Sequence, residues 1–427
     1  MDSCDVAIVG GGPGGLAAAA CIHIAKPALR IKVLERARSM RPAGFVIGIL
    51  PNALNAIRAM DTQLYHDCLA ELTPAEDEQS NVWSKNTGEC RFKFDGCEAR
   101  KRYDKYGGAI FPVAWYDLQR FWARRLPAGA LRLDSTFELY EETEDAIIVH
   151  LKDGTTLQSK VLVGADGNLS TVRKQLLDDG LPRYAGLAIW RAMGARPDYW
   201  PTHAGLLNWT DEEEVHRVMT YALSGNRLTW NVAVPWPFEK LDQLGSRRYI
   251  AQANDSAASA DPSGKRRRCL EALAHAEGGW PQYLLDMIAA TPLEGITEHG
   301  LFYREAEDCH QYGKGRVTLL GDAAHLTAAA LGQGTSLTME DALELGRAMA
   351  LHGATPAALR MFEAVRAPRA AEVQRASVAL VKRWGKQKGA LAVKEEQRES
   401  ERFFSQTFEP MLHLKHSSHP GAATQSG

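Results

Sequence analysis

Three stretches of the chain carry residues whose types and spacing could do chemistry. Gly10, Gly12 and Gly15 form a Gly-x-Gly-x-x-Gly pattern inside GGGPGG, and Glu35 follows twenty residues after the last of them. Gly10 permits a tight turn, Gly12 lets backbone approach a pyrophosphate, and Gly15 lets a following helix pack on a sheet. The amino terminus of that helix attracts the pyrophosphate charge. The Glu35 carboxylate can accept hydrogen bonds from two ribose hydroxyls and disfavours a 2′-phosphate, which leaves FAD or NAD as the dinucleotide. The second stretch, GDAAHLTAAALGQGTSLTMEDA, opens with Gly321-Asp322 and closes with Gly332-Gln333-Gly334-Thr335 at a helix start. Small apolar residues fill the interval, as a flat ring lying against them would require. A helix start offers N–H groups and a dipole end that stabilise negative charge.

The third set is less specific. Arg191 lies in GLAIWRAM, a hydrophobic strand pattern in which a buried cation needs an anionic partner, and Tyr221 follows in VMTYALSG. Together they could bind a phenolate or carboxylate and tune its protonation. The alternative for Arg191 is a surface ion pair, and for Tyr221 an ordinary half-buried strand tyrosine. His325 is of a residue type that can serve as a general base, but it directly follows the Gly321-Asp322 turn and suits that loop's own hydrogen bonding. Trp190, Trp230 and Trp236 fit either an aromatic pocket or a core.

The elements that must position these residues read as follows. Val6–Val9 is a short buried strand, LAAAACIHIA a helix and RIKVLE a second strand ending at Glu35, which makes one strand-turn-helix-strand unit. AIIVHLKDGTTLQSKVLVGADG holds a hairpin turning at Asp153-Gly154, and RVTLLGD is a further strand before the Gly321 turn. Alternating stretches such as RLTWNVAVPW, between about Pro182 and Gly295, predict antiparallel strands of a second domain. The basic run before CLEALAHAEGG reads as a solvated helix start rather than a phosphate patch. After Pro368 the pattern is helical, and HSSHPGAATQSG reads as a disordered tail.

Composition narrows the class. Fifty basic residues nearly balance fifty-two acidic ones, so no nucleic-acid partner is implied, and no apolar run reaches the roughly 18 residues of a membrane span. The seven cysteines form no CxxC pair and no cluster of metal-ligand spacing, so no metal is expected and reduced thiols in the cytoplasm are. Five residues before the first strand leave no room for a signal peptide.

With GGGPGG and Glu35, VGADGNLSTVRKQL, and GRVTLLGDAAH in this order, the chain resembles the flavoprotein aromatic hydroxylases, class A FAD-dependent monooxygenases of the salicylate hydroxylase kind, over residues 4 to 370. The resemblance implies an α/β fold. A Rossmann-like FAD-binding domain of the GR2 type would comprise residues 1–75, 105–181 and 296–370. A mostly antiparallel substrate domain (76–104 and 182–295) would be inserted in it, with C-terminal helices at 371–412 and the tail at 413–427. It implies FAD held by Gly10, Gly12, Gly14, Gly15, Glu35, Arg36 and Gly44. Asp166, with Gly167, would lie near the pyrophosphate. Gly321 and Asp322 would serve the ribityl chain, and Gly332, Gln333, Gly334 and Thr335 the flavin's N1 and C2 carbonyl edge.

Arg191 matches an arginine that relatives direct at substrate, which makes Arg191 and Tyr221 the candidate catalytic pair, and Arg304 matches one upstream of the third motif. NADH or NADPH would reduce FAD transiently, and O2 would form a flavin hydroperoxide. That species would hydroxylate or epoxidise a small electron-rich aromatic or polyketide-like molecule. Two departures stand out. Ala328 and Ala329 replace one or two prolines, which predicts a looser loop or a wider pocket. Trp115 replaces an arginine that contacts FAD, leaving Gln119 or Arg120 to compensate. A flavin reductase, dehydrogenase or halogenase, or a non-catalytic flavin binder, would use the same scaffold, although the WxWxIP-like element of a halogenase is missing.

Overall fold

The computed structural model describes residues 2–40, 45–72, 105–106, 111–200, 216–244, 264–274, 279–383 and 398–411, together with the strand paths of 79–84, 90–94 and 204–210. Two sheets dominate it. In the first, the strand Asp2–Val9 is central and runs parallel to Thr156–Gly164 on one side and to Ile31–Leu34 on the other. Val317–Leu319 extends the parallel order beyond Thr156–Gly164, and Leu131–Arg132 extends it beyond Ile31–Leu34. Its strands are apolar because both faces are covered: Val6, Ala7 and Ile8 are completely buried. The hairpin at Asp153-Gly154 forms as its sequence predicts, with Gly154 at φ +81° and Ile147–Leu151 paired antiparallel to Thr156–Gly164.

The second sheet has the order 297–303, 183–195, 227–235, 217–223, 204–210, 79–84, 90–94. Every pairing is antiparallel except that of Ala204–Thr210 with Gln79–Ser84. The strand Thr297–Tyr303 pairs with Arg183–Ala195, so this sheet continues past residue 295, where the sequence-based boundary fell. The reason is that the alternation of a last strand does not tell which sheet receives it. The division expected at 370/371 is also corrected: one helix runs Pro356–Arg383 with Pro368 inside it, so that division cuts a continuous element. The expected disordered tail at 413–427 and Gly44 lie outside the described residues.

The three tryptophans belong to the core rather than to a pocket wall. Trp190 and Trp230 are buried beneath the second sheet, donating to Glu298 Oε2 and Thr291 Oγ1, and Trp236 packs against the same cluster. The basic run begins the helix Gly264–Ala274. There Arg268 pairs with buried Glu298, Arg267 pairs with Glu271 four residues on, and Arg266 bonds the carbonyls of Ala289 and Thr291. No helix among the described residues is long and apolar enough to cross a membrane.

Candidate active site

Between the two sheets lies one cavity of about 1870 Å³. A small ligand needs roughly 300–1,000 Å³, so this space suits a dinucleotide and a second molecule together. The glycine turn forms its floor. Gly10 has φ +112°, and a Cβ there would stand 2.3 Å from the Ala165 carbonyl, so no side chain fits. A Cβ at Gly15 would meet the Gly10 carbonyl at 2.1 Å. Gly15 is therefore a packing residue and does not line the cavity, whereas Gly10, Gly12 and Gly14 do. Glu35 accepts from Gly11 N at 2.7 Å and from Ala37 N at 2.8 Å, which fixes its carboxylate against the turn it serves. Arg36 beside it is exposed at the same rim.

Asp166 accepts from Thr171 N and Val172 N and takes the Ser170 hydroxyl, so it caps the helix Thr171–Leu177 and orders the cavity-wall backbone. Burial pushes its carboxyl up against the pull of those bonds. Opposite it, Gly321 (φ +62°) turns the chain so that Asp322 opens onto the cavity. The surrounding walls push the Asp322 carboxyl up as well, offset by His325. Gly332 is left-handed at φ +64° and delivers Gln333 as the N-cap of the helix Gly334–His352, whose first residues, Gly334 and Thr335, face the cavity.

His325 is not aimed at the cavity. It is 1% exposed, and its Nε2 lies 2.6 Å from Asp341, which also accepts from Gly321 N and Arg366. Burial alone would raise the Asp341 carboxyl, but His325 and Arg366 outweigh it and hold it at about 2. Arg366 also pairs with Glu340, and Asn52 donates to both Glu340 and Gln333. This buried network fastens the start of the long helix from behind. The histidine is part of that fastening.

Both departures have local answers. Gln119 donates to the Gly11 carbonyl at 2.7 Å and steadies the turn from the side of the missing arginine, whereas Arg120 is exposed and lies over Tyr116. Trp115 stands 3.6 Å from where a Gly12 Cβ would be, and packs on Phe45. Ala328 has φ −64°, the angle a proline would impose, and its carbonyl accepts from Ser377 on the helix Pro356–Arg383. The looser loop expected from the missing proline is not what the contacts show, since tertiary bonding replaces the ring.

Arg191 and Tyr221 line the cavity from the second sheet. The Arg191 guanidinium lies 4.5 Å from the Phe45 ring centroid and contacts His299 Nε2. His299 Nδ1 is 2.9 Å from the Gly300 carbonyl and donates to it, so Nε2 is the acceptor that faces Arg191. Burial first, then Arg191, lower the His299 pKa to about 3, against the Gly300 bond, and the ring is neutral near pH 7. The Tyr221 hydroxyl donates to Met219 Sδ at 3.6 Å. The sequence reading missed Phe45, His299 and Arg173. Arg173, within the quoted VGADGNLSTVRKQL, donates to the carbonyls of Ala323 and Ala324 and pairs with Asp179, tying the second motif to the third. Arg304 is buried on the same Asp179 and on the Gly180 carbonyl, away from the cavity lining.

The cavity fits a flavin dinucleotide on its own evidence. Gln333 Nε2 and Gln119 Oε1 are buried at its wall with no bonding partner among the described residues, and a bound group rich in hydroxyls and carbonyls would complete them. Residues 134–377 match the family described as FAD binding domain, more than half of the chain. The chain belongs to that family. Its relatives are FAD-dependent aromatic hydroxylases. The flavoprotein is 30% identical over 374 residues to 3-amino-4-hydroxybenzoate 2-monooxygenase of Streptomyces cremeus, covering 87% of this chain and 85% of the relative. It is 28% identical to 6-hydroxynicotinate 3-monooxygenase of Pseudomonas fluorescens, covering 87% and 90%. The solved structure of Klebsiella pneumoniae HpxO with FAD and uric acid shares its fold at a TM-score of 0.72, with 22% identity over 94% of this chain and 93% of that one. FAD is thus the cofactor, and the flavoprotein is a monooxygenase.

Proposed function

We propose that the flavoprotein hydroxylates an electron-rich aromatic ring bearing a carboxylate or phenolate, with NADH or NADPH as transient reductant. One oxygen atom of O2 enters the ring and the other leaves as water, and the nicotinamide supplies the two electrons. The observation that carries this reading is the Arg191 guanidinium, held in the cavity over Phe45 and beside neutral His299. An anionic substituent is the group five guanidinium donors recognise. Relatives whose names specify ring carboxylates, the aminohydroxybenzoate and hydroxynicotinate monooxygenases, support the same class.

Bound FAD supplies acceptance of electrons from the nicotinamide and activation of oxygen. The chain's own residues bind and orient. With FAD bound, Glu35 would take the ribose, Gly12 and the helix start after it the pyrophosphate, and Asp322 the ribityl hydroxyls. The N–H groups at Gly334 and Thr335 would stabilise negative charge on the reduced flavin. Arg191 fixes the ring acid, Phe45 and Ile189 exclude water around it, and Tyr221 Oη holds a proton that can turn from Met219 towards a substrate phenolate. The reading places this reaction in the cytoplasm, where reduced nicotinamide is at hand and the buried thiols of Cys4, Cys21, Cys68, Cys269 and Cys309 stay reduced. Anaerobic reduction of the holoprotein by NADH and by NADPH, with and without a panel of ring acids, tests it. Acceleration by a ring acid followed by oxygenated product is expected, and reduction indifferent to every acid without product would overturn it.

A further inference from the structure

The sheet above the cavity carries a polar side chain that the reading just given leaves unused. Asn231 lies in the strand Arg227–Pro235, within the stretch Leu228–Val234 that is buried throughout. Its neighbours Trp230 and Val232 point into the core behind the sheet, while Asn231 faces the cavity. In register it stands between Arg191 on one adjacent strand and Met219 on the other, and both of those also line the cavity.

The side-chain amide of Asn231 makes no hydrogen bond among the described residues. Other buried amides are used internally, as Asn52 is by Gln333 and Glu340, and Gln119 by Gly11. A polar group buried in a strand centre is costly unless something completes it. At Asn231 the open direction is towards the ligand space. The chemistry of the row is also divided. Arg191 can only donate, His299 has given its N–H to Gly300, and Met219 already receives Tyr221. Asn231 offers both a donor and an acceptor. Adjacent strands are about 4.8 Å apart, a separation that one substituted ring can span.

We propose that Asn231 is a specificity-determining residue whose carboxamide bonds a second polar substituent, a hydroxyl or amino group, on the ring whose anionic group Arg191 holds. This rests on the anionic-ring reading above and sharpens it: the preferred substrate is a hydroxy- or amino-substituted ring acid rather than the bare acid. A hydroxyl both gives and receives, so it satisfies both halves of the amide. A ring without such a group leaves them desolvated and unpaired, which is how a polar site rejects the analogue that lacks the partner.

The test uses the FAD-loaded protein and ring acids in pairs, benzoate with 3- and 4-hydroxybenzoate and with 4-aminobenzoate, and nicotinate with 6-hydroxynicotinate. Dissociation constants are read from the change in flavin absorbance. Wild type should bind at least one substituted acid about ten- to a hundredfold more tightly than its parent, and Asn231→Leu should reduce that preference below about threefold while the parent's constant stays within about threefold. Asn231→Ala gives the same comparison if the leucine variant loses flavin. Equal weakening of parent and substituted acid in the variants, or a preference that survives both substitutions, overturns the proposal and leaves the anionic-ring reading intact. Wild type that binds no ring acid overturns both.

Discussion

Replacing Arg191 with alanine removes the guanidinium and leaves the rest of the cavity wall standing. Among the contacts that the chain itself loses are the cation over Phe45, worth roughly 1 kcal/mol, and the donor to His299 Nε2, whose loss costs about 1–3 kcal/mol before water fills the space. The folded state should therefore weaken by about 1–3 kcal/mol and survive, because Arg191 is half-buried and the first sheet does not depend on it. FAD content should be unchanged, since the glycine turn and Glu35 lie on that other sheet.

Turnover is where the effect concentrates. A charge-assisted contact to a ring carboxylate or phenolate is worth roughly 3 kcal/mol, so substrate-coupled turnover should fall at least about a hundredfold. NAD(P)H oxidation that yields hydrogen peroxide should persist, because Arg191 is not needed for oxygen chemistry. The assay is the ratio of oxygenated product to NAD(P)H consumed, with flavin content measured on the same sample. Ratio and turnover equal to wild type would refute the assignment and reduce Arg191 to a structural partner of His299. A second readout checks the pairing itself. His299 has a folded pKa of about 3, below its ordinary value near 6.5. Its contribution to stability is full above pH 6.5 and is lost as pH falls towards 3. Without Arg191 one cause of that depression is gone, so the loss should end at a higher pH in the variant, as denaturation midpoints between pH 7 and 4 would show.

Glu35→Ala should weaken FAD binding by about 1–3 kcal/mol, because Gly11 N and Ala37 N lose their acceptor along with the ribose; titration of apoprotein that gives an unchanged constant would count against the turn as the binding site. Asp341, held at about 2, contributes roughly 2 kcal/mol that is complete above pH 4 and disappears as pH falls towards 2. Asp341→Asn should therefore flatten the acid limb of a urea-midpoint profile, and an unchanged limb would contradict the pairing with His325 and Arg366. Ala328→Pro suits the existing φ of −64° and should raise the melting temperature by an amount equivalent to about 0.4–1 kcal/mol; a lowered temperature would mean that the Ala328 amide is needed.

The elements legible in the sequence are those whose physics is local. A left-handed glycine at Gly10 or Gly332, a helix started after Gly12 or Gln333, and a strand ending in Glu35 are set within a few residues, so motif and geometry coincide. The parallel sheet followed for the same reason, since an all-apolar strand next to a glycine turn and a helix has few ways to fold. Which face of the second sheet meets the cavity was not legible. Period-two alternation puts Trp190 and Trp230 on one side and Arg191 and Asn231 on the other, but it does not say which side is covered by helices and which by ligand. His299 joins Arg191 across 108 residues of chain, and no pattern near either residue announces the other. Gln119, Ser377 and Arg173 likewise serve segments far from themselves in sequence, through hydrogen bonds to the carbonyls of Gly11, of Ala328, and of Ala323 and Ala324. The sequence by itself determined the glycine turns and the helix starts behind them. Only the tertiary structure decided which polar side chains line the rest of the cavity, because that depends on which residues packing leaves facing it.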